Sequence, residues 1–189
     1  MFEIKKIQWY LIYSALILFV GFACGFLLSV TDPAFGESLL KIFQDMIANE
    51  IIGDTPPIMT LTLFLNNLEA CLVIFIGGAL FGIIPVAILF FNGVVIGAIL
   101  EIARKTTGEL VMLASVVPHG IFEIPAVIAS GALGLMLGRA VTDEFGGKGD
   151  AAESAYQYGR IFVRYIIPFV AIAAIIEGFI TPAILQMVT

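Results

Sequence analysis

Four ionisable side chains lie in long apolar runs of this sequence: Glu69, His119, Glu123 and Glu177, with Asn66, Asn67 and Asn92 sharing the same runs. In hydrocarbon such a group costs several kcal/mol unless it is paired, neutralised or wetted, so each marks a candidate site. The offset of three from Asn66 to Glu69, and of four from His119 to Glu123, puts each pair on one helix face. Three chemistries use these residue types. An imidazole and carboxylates converging from several helices are the ligand set of a metal site in a bundle core. A buried glutamate that takes up and releases protons is a step in an ion or proton path. Buried Asn, His and Glu also make hydrogen-bond networks that hold spans in register. A zincin-type metalloprotease needs two histidines around a glutamate, and the chain has a single histidine. Gly-rich phosphate loops and serine nucleophile elbows are absent as well. No catalytic residue is assigned and no cofactor is specified; network, ion path and metal remain three open readings of Asn66, Glu69, Asn92, His119, Glu123 and Glu177.

The elements that must position these groups follow from composition. Of 189 residues, 60% are hydrophobic and 13% charged, and the mean hydropathy is +1.08. Runs of about 20 apolar residues match a bilayer core of roughly 30 Å, which makes the lipid bilayer the first partner and excludes a soluble enzyme or a coiled coil. A net charge of −6, with the basic residues scattered, gives no face that could follow a phosphate backbone, so nucleic acid is excluded as a partner. Cys24 and Cys71 both lie in apolar runs and encode neither a disulfide framework nor a zinc module.

The runs predict an all-helical polytopic bundle of about five spans, forming a single transmembrane domain, near residues 9–30, 60–82, 85–103, 118–138 and 161–187. The first opens on Trp9, Tyr10 and Tyr13 behind Lys5 and Lys6, the flanks of an uncleaved signal anchor. Residues 31–57 are acidic, and within them Phe35, Leu39, Phe43, Met46, Ile47 and Ile51 recur at helical spacing, predicting an amphipathic helix along the membrane surface. That helix packs on its own bundle or docks a partner. The run from Leu110 to Leu137 exceeds one upright helix, and Pro118 with Gly120 predicts a broken fourth span, with a dipping segment ahead of it. Lys5, Lys6, Arg139, Lys148, Arg160 and Arg164 then share one side, and Lys41, Arg104 and Lys105 the other. The positive-inside rule puts the N-terminus and the 139–160 loop in the cytoplasm and the 31–57 segment outside.

Gly21 with Gly25, Gly78 with Gly82, Gly93 with Gly97, and Gly134 with Gly138 each carry the small-residue spacing that brings helices close. Most such pairs serve packing within a chain, and one or two could instead serve a homodimer.

The run Pro118-His119-Gly120-Ile121-Phe122-Glu123-Ile124-Pro125-Ala126, followed by glycine spacing from Ala129 to Gly138, resembles the signature of the stage II sporulation protein M family of integral membrane proteins. Phe64-Leu65-Asn66-Asn67 and Phe91-Asn92-Gly93 through Gly97 are of the same type, so the resemblance runs from about residue 58 to the end. It implies a bundle of about five spans that, in spore formers, is the membrane scaffold for two peptidoglycan-degrading enzymes, in a family that also reaches archaea without spores or murein. It points to Asn66, Asn92, His119 and Glu123 without supplying chemistry for them. The leading expectation is a non-enzymatic membrane scaffold or assembly factor presenting the outer helix to extracytoplasmic proteins. A transporter or channel component is the alternative, and an intramembrane metal protein the third.

Overall fold

The computed structural model describes residues 4–51 and 55–188, with side chains over 7–42 and 55–188. Helices account for nearly all of the described chain: α1 (Ile4–Thr31), α2 (Pro33–Ile51), α3 (Pro56–Ile76), α4 (Ile83–Thr107), α5 (Glu109–Phe145), α6 (Ala151–Ile161), α7 (Ile167–Ile175) and α8 (Thr181–Val188). Five stretches are long and apolar enough to cross a membrane: α1, α3 with the 3₁₀ turn after it, α4, α5, and the continuous unit Ala151–Val188. Large apolar side chains such as Trp9, Phe19, Leu27, Phe91 and Ile121 point outward and are more than half exposed, as they must be where lipid, not protein, is the neighbour. The chain is a multi-pass membrane protein.

Proline placement explains most helix boundaries. Pro33 opens α2 and Pro56-Pro57 open α3, positions where the missing N–H has no helical partner to lose. Between α3 and α4 the chain reverses in a few residues, with Gly82 at φ 78°, a conformation that costs glycine nothing. Gly108, at φ 86°, makes the equally abrupt junction of α4 with α5.

The break expected in the fourth span is not there. α5 is one helix of 37 residues with Pro118 and Pro125 inside it, and residues 110–117 form its first turns. A helix of that length is about 55 Å long. That exceeds a bilayer core of roughly 30 Å, and Arg139, Asp143 and Glu144 make its C-terminal end polar. The expected 139–160 loop shrinks accordingly to residues 146–150, because Asp150 caps α6 by accepting a 2.9 Å hydrogen bond from the Glu153 amide.

The fifth span is interrupted, as its Pro168 and Pro182 predict. Two π-helical turns, Phe162–Ile166 and Ile176–Ile180, each end two residues before a proline, Pro168 and Pro182. A proline ring collides with the carbonyl four residues earlier and offers it no N–H; widening the preceding turn moves that carbonyl aside.

α5 is the central helix, packed by α1, α3, α4 and the whole fifth span. Its inner face builds the core with Cys71 and Phe75 of α3 and with Phe162, Ile166 and Val170 of the fifth span, around Ala126, Leu133 and Leu137. All four glycine pairs are spent inside the chain, in two seams. A Cβ on Gly21 or Gly25 would strike the backbone carbonyls of Phe90 and Val94, and one on Gly93 or Gly97 those of Leu18 and Phe22. A Cβ on Gly78 would strike the Gly134 carbonyl, and one on Gly138 the Gly82 amide. α2 lies across the same end as the α4–α5 junction, packed on α4 and α1. Gly36 faces Ile102 and Ser29 there, so its own bundle takes this part of the amphipathic helix. The side chains of Phe43, Met46, Ile47 and Ile51, expected on the same face, lie outside those described, as do those of Lys5 and Lys6.

Candidate functional site

His119 lies ten residues into α5, one turn before Glu123 on the same face. Glu177 reaches them from the second π-turn of the fifth span. Ligand atoms of the three lie within 4.8 Å of one another, with His119 Nε2 4.0 Å from Glu123 Oε2. Among the described residues no arginine or lysine pairs with either carboxylate, and His119 Nδ1 is buried without a hydrogen-bond partner. The group is sheltered but not sealed, since the His119 and Glu123 side chains keep 15% and 31% of their exposure.

Several contacts hold this geometry. Gly178, next to Glu177, lies so close to Thr60 of α3 that a Cβ would collide with its hydroxyl, and that hydroxyl donates to the Pro56 carbonyl at 2.8 Å. Phe122 of α5 packs edge to face on Phe169 of α7, with ring centroids 5.9 Å apart. The π-turn is thereby pressed between α3 and α5, with Glu177 turned toward the histidine.

The other expected residues are elsewhere. Glu69 and Asn66 are exposed on α3, and Glu69 is outside the group whose ligand atoms converge. Asn92 is half-buried on α4, beside the Gly93 contact with α1.

A second charged cluster, whose Arg104 and Lys105 enter the sequence analysis only as basic residues of one side, lies near the end of α4. Glu101, fully buried, accepts from Arg104 Nε at 2.8 Å and from its Nη2 at 2.9 Å, and Lys105 Nζ approaches at 3.1 Å. Lys105 also donates to the Ser29 carbonyl at 3.2 Å, where the last turn of α1 has carbonyls without helical partners. The signal for this cluster is local, a glutamate followed at i+3 and i+4 by basic residues. At the opposite end of the bundle a cavity of about 170 Å³ lies between Tyr10, Met136, Arg139, Lys148, Asp150 and Tyr158. Its arginine is already paired with Asp143 at 3.0 Å, and it is remote in the fold from His119.

Comparison with known proteins adds a family and a relative. The family model described as Stage II sporulation protein M matches residues 14–182. An uncharacterized protein of Methanocaldococcus jannaschii is 29% identical over 181 residues, covering 92% of this chain and 94% of its own. No solved structure matches.

Proposed function

The chain belongs to the stage II sporulation protein M family, and from that premise we propose that it is a non-enzymatic membrane scaffold or assembly factor. The observation that supports this most is the use of all four glycine pairs for backbone-on-backbone contact within the chain. Without a hydrophobic force between helices in lipid, such close packing is what fixes one span against another. Two seams of this kind, α1 with α4 and the α3–α4 corner with α5, make a stiff frame. The frame holds α2 at one end and the α5–α6 turn at the other in a constant relation, which is what a presenting surface requires and a rocking transporter avoids.

In this reading α2 offers partners its outward side, where Glu37, Ser38 and Lys41 are exposed. A photo-activated cross-linking residue at position 38 or 41, in native membranes, is expected to give discrete protein products, while the lipid-facing positions 19 and 27 give none. Equal absence of products at all four positions overturns the reading, and a product of twice the chain mass assigns the surface to a second copy. The orientation drawn from the basic residues is checked separately. Ser38→Cys should react with an impermeant maleimide on intact cells and Gly147→Cys only after lysis; the reverse pattern inverts the topology.

An ion or proton path is the second reading, supported by the convergence of His119, Glu123 and Glu177. Ion flux in proteoliposomes that disappears in Glu123→Gln would put it ahead of the scaffold.

A further inference from the structure

We propose that His119, Glu123 and Glu177 form a binding site for one divalent first-row transition-metal ion, which fastens the π-turn of the fifth span to α5. The proposal stands apart from the scaffold reading and needs no partner protein.

Charge and donor type carry it together. Two carboxylates meet within 4.8 Å and, among the described residues, no lysine or arginine pairs with them, and a doubly charged cation is the counter-charge that leaves the set neutral. Neither ring nitrogen of His119 is committed to a protein hydrogen bond: Nδ1 is buried and unpartnered, and Nε2 has only the 4.0 Å approach to Glu123. One imidazole with two carboxylates suits manganese, iron, cobalt or zinc, whereas calcium and magnesium favour all-oxygen sets and copper(I) favours thiolates and thioethers. Bonds of about 2.0–2.2 Å place ligand atoms about 3–4 Å apart around a common ion. The 4.0 Å separation is at that limit, and the widest, within 4.8 Å, closes with less than about 1 Å of side-chain movement. Three protein ligands leave coordination positions open.

The backbone points the same way. π-turns inside helices recur at functional sites, and here the turn carries Glu177 while Gly178 seats it on Thr60. Proline accounts for a widened turn, but nothing in helix geometry requires an acidic residue in it facing a histidine on another span.

The test uses the full chain, purified in detergent, stripped with a chelator and titrated with Co²⁺ alone. One equivalent is expected to bind with visible d–d absorption and to be displaced by Zn²⁺. His119→Ala and Glu177→Gln should each weaken binding at least about tenfold, the loss seen even when an outer-shell partner of a ligand is removed, while Glu69→Gln binds like the wild type. Each variant is compared at equal helicity and monodispersity. Should one not fold, Glu123→Asp, which keeps the donor, is expected to hold the ion with a shifted spectrum. A folded wild type that takes up no stoichiometric Co²⁺, or binding unchanged in both His119→Ala and Glu177→Gln, overturns the proposal. Neither result would alter the cross-linking at positions 38 and 41.

Discussion

Gly93→Ala should destabilise the bundle by about 3 kcal/mol, the upper part of the range for overpacking a tight interior, and Gly93→Leu by more. The added Cβ meets the Leu18 carbonyl and the Phe22 amide of α1. These are backbone atoms, which cannot rotate away as the end of a side chain can, so α1 and α4 must separate. Separation also opens the neighbouring contacts at Gly21, Gly25 and Gly97, because the four glycines interleave along one seam. The effect of a second substitution therefore depends on where it is made. Gly21→Ala added to Gly93→Ala should cost much less than it does alone, since the helices are already apart, whereas Gly134→Ala, in the other seam, should add nearly in full. Gly159 supplies the control. It lies within α6 with nothing inside 4 Å of a Cβ, and Gly159→Ala should be neutral or gain up to about 1 kcal/mol of helix propensity. Thermal midpoints in detergent measure all of these. Equal effects at Gly93 and Gly159 would remove the seam from the account of stability.

What could be read from the sequence divides along physical lines. Apolar run length is a local property, and five spans follow from it in number and almost in position. The spacing of the glycines is local too, but their partners are not. Nothing in Gly21-x-x-x-Gly25 says that it meets Gly93 and Gly97, and only the packed structure shows that no pair is left over for a second copy. His119 and Glu123 could be paired from their offset of four on one helix. Glu177 joins them through a contact between spans, and through a π-turn that shifts its direction away from the 3.6-residue period on which face assignments rest. Glu69 shows the converse: the same residue type, in an equally apolar run, is turned outward on α3. The fourth span failed for a different reason. Pro118 predicts a break, although a helix of 37 residues has enough continuous hydrogen bonding on either side of it to carry through. Proline did disturb the backbone in the fifth span, by widening it rather than ending it.

Removing both cations from Glu101 should cost more than removing Glu101 itself. In Arg104→Ala with Lys105→Ala, the Glu101 carboxylate loses both of the side chains that pair with it within 3.1 Å. The cost lies above that of an exposed ion pair and below that of a fully buried one, because the two basic side chains are themselves 40% and 36% exposed and their removal admits solvent to the carboxylate. The double variant also frees the Ser29 carbonyl from Lys105, loosening the end of α1 on which α2 is folded back. In Glu101→Gln the buried group is neutral and still able to accept from Arg104, while the partly exposed cations turn to water. That change should cost less, since only the charge-assisted strength of the hydrogen bonds is lost. The order of the two variants is the sharp outcome, because a cluster that acted only as a surface ion pair would give small and similar losses in both. Their order should reappear at a distance. If Lys105 anchors the α1–α2 corner, the double variant, and not Glu101→Gln, should expose Ser29→Cys to maleimide, since Ser29 is buried against Gly36 only while that corner is closed. Protection of that cysteine in the double variant would confine the cluster's role to α4.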